Sequence, residues 1–308
     1  EGWTTRSVAE ALAQLFALRL GDVGYAGLKD RHARCTQVFS LPRCDPSAAE
    51  RIAPSLPFEV RWARLHRNKL KIGHLLGNRF QITITGLAVA PHEALSRARA
   101  VAEALAQRNL PNFFGQQRFG VEGDNVARGY EALHGKGPRD PWLRKLVISA
   151  YQSHLFNQYL TRRVERGLFD CLLAGDVAKK ADTGGMFDVV DLAAEQPRYQ
   201  RGEIHFTGPL FGSKMWPAKA AAGEMEAEVL AEAALTLEDF RRAHVQGTRR
   251  PGRLWLPTIA ASIQEQALRL EFTLPKGAYA TVVVREFTKS DIDRASALLP
   301  EEMDEIYD

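Results

Sequence analysis

Cysteine is scarce: Cys35, Cys44 and Cys171 are the only ones in 308 residues, and none belongs to a C-x-x-C pair. Their odd number and wide spacing exclude a disulfide framework and the common zinc motifs, and predict a reducing, cytoplasmic setting. Long apolar runs are absent too. Nothing approaches the roughly 18 consecutive apolar residues of a membrane-spanning helix, and Glu1-Gly2-Trp3-Thr4 has no basic region leading into an apolar one. The opening on Glu rather than Met implies that N-terminal sequence was removed or left out. Also missing are H-E-x-x-H, G-x-x-x-x-G-K-[ST] and a G-x-G-x-x-G following a strand, so no metal and no cofactor is expected. His66 and His74 read as ordinary surface or core histidines rather than as ligands.

With 24 Gly, 15 Pro and 45% apolar residues, the chain is neither collagen-like nor disordered, and its length suits about two domains. Acids are unevenly spread although 37 of them nearly balance 41 basic residues. None falls between Glu59 and Glu93, where Arg61, Arg64, Arg67, Lys69, Lys71 and Arg79 lie, and none between Phe240 and Gln264, where Arg241, Arg242, Arg249, Arg250 and Arg253 lie. Such stretches attract polyanions unless acids elsewhere, such as Glu301, Glu302, Asp304 and Glu305, neutralise them in space. Charge alone leaves both readings open.

Hydrophobic spacing predicts an amphipathic helix over Thr5–Leu20, a strand over Thr36–Leu41, and between them a glycine-broken loop that includes Gly24–Asp30. Residues 59–66 look strand-like. Phe80, Ile82 and Ile84 alternate with polar residues as a half-buried strand, with Asn78 at its entrance. A helix is expected from Pro91 to about Arg108, then a change of texture over Asn109–Gly137 that suits a domain boundary. From Pro141 to Arg166 a long helix is predicted, with Asp140 at the N-cap and Arg162, Arg163 and Arg166 at the negative end of its dipole. Short elements follow to residue 217, then a helix near 222–234 and a strand through Leu268, Leu270, Phe272 and Leu274. For Thr281–Val284, β-branching favours a strand, while a turn leading into a helix is the alternative.

Asp30 stands out as a carboxylate in a glycine-bounded loop between Lys29 and Arg31, whose charges favour the ionised form needed of a nucleophile or base. The plainer reading is a solvated loop acid. Asn112–Gly120 mixes Phe113, Phe114, Phe119, amides and Arg118, suiting either single-stranded bases or a buried aromatic turn. Gly77-Asn78-Arg79-Phe80 either sets an amide and an aromatic beside a ligand or simply leads into a strand. Tyr279, after the Pro275-Lys276-Gly277 turn, either stacks on a planar base or packs in the core.

Taken together, these segments resemble the TruD family of tRNA pseudouridine synthases, which act on uridine 13. The matching text is Gly24–Ala33 with Gln37, Gly73–Phe80, Pro111–Gly120, Gln152–Asn157, Thr207–Gly212, and Leu274–Thr281 with Val284-Arg-Glu286. The resemblance implies an α+β fold: a discontinuous mixed-sheet catalytic domain of residues 1–111 and 258–308, and an inserted α+β domain of 112–257. It implies that Asp30 is catalytic, that Asn78 and Tyr279 contact the target nucleotide, and that Lys29, Phe80 and Arg118 support RNA or the site. It further implies isomerisation of uridine to pseudouridine in tRNA without a cofactor, and a helix at Ala278–Phe287.

The family's N-terminal strand, ending in Phe-x-Val-x-Glu, has no counterpart because the chain begins after it; a trimmed segment is expected. Cys35 stands where threonine is common. Two rivals use the same residues: a non-catalytic tRNA-binding or RNA-folding protein on this scaffold, and a nucleoside or glycoside hydrolase using Asp30, for which no second carboxylate is evident.

Overall fold

A computed structural model describes residues 2–120 and 123–289. The described backbone divides into two compact units, residues 2–78 and residues 79–289.

The first unit opens with helix α1 (Thr5–Leu15), which buries Ala9, Leu12 and Ala13. Thr4 and Ser7 form a reciprocal cap: the Ser7 amide donates to Thr4 Oγ1 at 3.0 Å and the Thr4 amide to Ser7 Oγ at 2.9 Å. The helix stops short of the expected Leu20. Ala17 turns left-handed with φ of 53°, and the Leu18 amide bonds back to the Ala13 carbonyl at 2.8 Å, a closure that satisfies the last carbonyls.

Strand β1 (Gly24–Tyr25) pairs antiparallel with β2 (Phe39–Ser40), all that forms of the strand expected over 36–41. Gly24 is required there, because a Cβ would stand 2.4 Å from both the Leu70 carbonyl oxygen and Ser40 Oγ. A single turn, α2 (Ile52–Ser55), follows. The strand expected at 59–66 does not form. Its apolar positions, Val60 and Trp62, are exposed, so the alternation has no core face to bury and nothing holds it in a sheet.

The second unit contains two hydrophobic clusters. One joins strand β3 (Gly77–Ile84), helix α3 (Pro91–Arg108), β4 (Leu110–Pro111) and the C-terminal elements: Ala98, Ala102, Leu105 and Leu110 pack with Leu254, Leu270, Phe272, Leu274, Val283 and Val284. β3 and α3 keep the expected limits closely, because alternation in one and an Ala/Leu stripe in the other match that core.

The other cluster surrounds a long helix. Helix α4 (Asp124–Leu133), in the stretch read as a boundary, packs on α5 (Pro141–Glu165). The Asp140 carboxylate caps α5 by accepting from the Leu143 amide at 2.7 Å, and Val147, Tyr151, Leu155, Phe156 and Tyr159 form its buried face. Strands β5 (Val177–Lys180) and β6 (Met186–Asp188), helix α6 (Leu192–Gln200), strand β7 (Ile204–Leu210), helices α7 (Ala220–Glu232) and α8 (Leu237–Arg242), and strand β8 (Thr248–Pro251) complete it. The sheet order is β6-β5-β7-β8. Strands β9 (Arg253–Leu254), β10 (Ala260–Gln264) and β11 (Ala267–Pro275) and helix α9 (Ala280–Thr288) end the described chain, with β10-β11-β3 as a second sheet. Every pairing with a described register is antiparallel. The molecule is thus α+β.

Thr281–Val284 is helical, which decides between the two readings of that segment. Its Val283 and Val284 are buried among α3 and β11 residues, and that burial outweighs the β-branched preference.

The second acid-free stretch does not form a basic surface. Arg249 is buried against Glu226 at 2.6 Å, and Arg253 lies 3.4 Å from the Tyr199 ring centroid. Arg241 pairs with Glu238 at 2.6 Å, and Arg242 reaches Glu238 and Asp239 at 3.9 Å. Sequence distance hid the partners of Arg249 and Arg253, whereas those of Arg241 and Arg242 lie within one helical turn, just before the stretch. Arg163 likewise leaves the end of α5 for the core, where it meets Asp176 at 2.8 Å. Glu301, Glu302, Asp304 and Glu305 lie outside the described residues.

Candidate active site

In the first unit, the loop after β1 is held from behind by the start of α1. The Lys29 amide donates to Thr5 Oγ1 at 2.9 Å, Thr5 Oγ1 donates to Gln37 Oε1 at 3.0 Å, and Gln37 Nε2 donates to the Gly27 carbonyl. Because Thr5 is buried, this chain fixes the loop backbone without using the side chains of Lys29 or Asp30. Asp30 is exposed. Its carbonyl accepts from the Ala33 amide at 3.4 Å and lies 3.6 Å from Cys35 Sγ.

Lys29 Nζ donates to Asn78 Oδ1, joining residues far apart in sequence. The lysine thus supplies a cation and orients the Asn78 amide. Asn78 is therefore bonded to the residue directly before Asp30 in the chain.

In the second unit, Tyr279 follows a turn in which Gly277 has φ of +79° and the Ala278 amide bonds to the Pro275 carbonyl at 3.3 Å. Its ring meets Phe114 edge-on with centroids 6.0 Å apart, and it is half-buried, so it is neither fully packed away nor free in solvent. The Asn112–Gly120 segment is largely the buried aromatic turn: Phe114 and Phe119 are buried, and Asn157 clamps Phe114 by bonding its amide at 2.9 Å and its carbonyl at 3.0 Å. Arg118 donates to Ser153 Oγ at 3.1 Å and Ser149 Oγ at 3.0 Å on α5, and burial lowers its pKa. Phe80 stacks on Phe272 at 5.6 Å within the α3–β11 cluster.

One residue beside Phe114 and the Tyr279 turn carried no individual signal. Arg250 lies 4.0 Å above the Phe114 ring and donates to the Gly277 carbonyl at 2.9 Å, the Asn112 carbonyl at 3.2 Å and Asn112 Oδ1 at 2.7 Å. Burial pulls its pKa down to about 10, so it remains cationic at neutral pH. It ties the turn before Tyr279 to the 112–114 segment. The sequence marked it only as one arginine of an acid-free stretch.

Among the described residues, no group of three or more His, Cys, Asp or Glu side chains is placed to hold a metal, and no helix is long and apolar enough to cross a membrane.

The class is defined by an α+β fold in which a loop clamped through Thr5 and Gln37 carries an exposed aspartate directly after an amide-bonded lysine. The fold is shared with the crystal structure of a candidate tRNA pseudouridine synthase D from Methanosarcina mazei, with a TM-score of 0.74 at 24% identity, covering 94% of this chain and 86% of that one. The family model described as tRNA pseudouridine synthase D (TruD) matches residues 1–135 and 123–287. Proteins named tRNA pseudouridine synthase D from Anaeromyxobacter dehalogenans and Thermus thermophilus are 44% and 42% identical, over 98% and 94% of this chain and 86% and 80% of theirs. The chain belongs to the tRNA pseudouridine synthase D family, a family of isomerases.

Proposed function

We propose that this chain converts uridine to pseudouridine in tRNA, at position 13, with Asp30 as the catalytic carboxylate. The observation that carries the assignment is the Lys29–Asn78 hydrogen bond beside an exposed Asp30 on a loop clamped through Thr5 and Gln37. Substrate and product are isomers: the N1–C1′ bond breaks, a C5–C1′ bond forms, C5 loses a proton to solvent and N1 gains one. No electron acceptor is needed.

The ionised Asp30 carboxylate starts cleavage either by attack at C1′, leaving an ester and a uracil anion, or by removing a sugar proton. Asn78, held by Lys29, orients the nucleotide. Tyr279 covers the uracil face so that the freed base turns without leaving. The base must first be everted from its stack, and basic residues lower that cost by pairing with phosphates. Residues 1–111 and 258–308 act in this reading as one catalytic domain with 112–257 inserted. In support, the cluster of residues 80–110 draws its other half from residues 254–287.

Asp30→Asn keeps the shape and removes the charge. Tritium release from tRNA carrying 5-tritiated uridine is expected to fall by at least about 10³-fold. Activity at the wild-type level would remove Asp30 from its role. Tight tRNA binding by the wild type with no pseudouridine at position 13, mapped by carbodiimide-blocked reverse transcription, would favour the non-catalytic rival.

A further inference from the structure

Residues 59–76 form neither helix nor strand, and they lead the chain from α2 into Gly77 and Asn78. Their later half is tied to the surroundings of β1: the Leu70 amide donates to Ser40 Oγ on β2 at 2.9 Å, Lys69 Nζ to the Gly21 carbonyl before β1, and the Gly73 amide to the Ala26 carbonyl, at the start of the loop that bears Asp30, at 3.1 Å. The earlier half lies open. Trp62 is 56% exposed and Leu65 78%. The Arg64 guanidinium lies 5.8 Å from the Trp62 ring centroid, and Glu59 reaches Arg61 only at 4.0 Å. Among the described residues no acid pairs with Arg64, Arg67 or Lys71.

An exposed indole offers a flat face for stacking, and a row of cations without paired acids favours a polyanion as the partner. A flat ring and an adjacent guanidinium, carried on an open backbone with no amphipathic helix, suit successive unstacked bases better than they suit a bilayer. We propose that residues 60–71 bind the single-stranded RNA next to the target nucleotide, with Trp62 and Arg64 stacking on a base and Arg61, Arg67, Lys69 and Lys71 meeting phosphates. The inference rests on the tRNA reading above and adds a second binding surface to it. The Gly73–Ala26 bond fixes the end of that surface to the start of the loop that bears Asp30, so a strand lying on it leads toward that loop.

The test uses the full chain and unmodified tRNA. Trp62→Ala is expected to raise KM for tRNA between about 5- and 100-fold, with a smaller change in kcat, and Trp62→Phe to recover most of the loss. Changing Arg61, Arg64 and Arg67 together to Gln is expected to reduce the log–log slope of affinity against salt by about 2. Arg97→Gln, on the solvent face of α3 where Arg97 pairs with Glu93, serves as the control and leaves both readings unchanged. Unaltered KM and salt slope in the Trp62 and arginine variants, with thermal midpoints matching the wild type, would overturn the proposal. So would phosphatidylglycerol vesicles that bind the wild type and lose the variants while tRNA kinetics stay constant. If the wild type forms no pseudouridine but the variants lose tRNA binding, the surface stands and the enzymatic reading fails.

Discussion

Lys29, directly before Asp30, does what loop geometry alone does not: its ammonium holds the Asn78 amide. Lys29→Met retains most of the side chain's length and packing but releases that amide. The expected result is a fall in kcat of about 10- to 100-fold with a thermal midpoint within about 2 °C of the wild type, checked by single-turnover kinetics and scanning fluorimetry. His205 shows the opposite economy, a titratable group used for stability. Arg253 Nε donates to its Nδ1 at 3.0 Å, and burial together with the Arg253 charge pulls the imidazole pKa down to about 4. The unfolded chain binds this proton more readily than the folded one between roughly pH 6.5 and pH 4. Stability from this site is therefore complete above the unfolded pKa and is lost as pH falls through that window, on the order of 2 to 3 kcal/mol in all. His205→Asn, which keeps an acceptor toward Arg253 and removes the titration, is expected to flatten the difference in urea stability between about pH 7 and about pH 4.5.

At the scale of elements, two arginines fasten segments that sequence spacing keeps apart. Arg163 of α5 donates to both Asp176 carboxylate oxygens, at 2.8 and 3.0 Å, and to the Cys171 carbonyl at 2.7 Å, all inside the α5 cluster. Asp176→Asn leaves a buried guanidinium without its counter-charge, so a loss of about 3 to 5 kcal/mol is expected, read from the urea midpoint. Arg250 fastens Asn112, Phe114 and the Gly277 turn instead, and its effect reaches Tyr279. Arg250→Met is expected to fill similar space while freeing the turn, so that KM for tRNA rises and the pH profile of kcat keeps its shape. A changed profile would show that Arg250 alters the chemical step itself.

At the scale of the molecule, the two compact units carry unequal cores. Both large hydrophobic clusters lie within residues 79–289, whereas the cluster of the first unit centres on Ala9, Ala13 and Val23. Small cores seldom stabilise a chain by themselves. A fragment of residues 79–289 is therefore expected to unfold cooperatively by circular dichroism, and one of residues 1–78 to give no cooperative transition. The sequence by itself determined the elements whose periodicity faces a single core, such as α3, α5, β3 and β11, together with the caps and turns that end them, because these depend on neighbours a few positions away. It also marked Asp30, Asn78 and Tyr279, through motifs whose order along the chain carries the family resemblance. Only the tertiary structure decided that residues 59–66 stay open, that 281–284 coil into a helix, and that Arg163, Arg249, Arg250 and Arg253 point inward. In each case the deciding partner is remote in sequence: a core face present or missing, or a carboxylate, ring or carbonyl that takes up a buried cation. Desolvation makes such a contact decisive for the fold and leaves no mark on the local pattern.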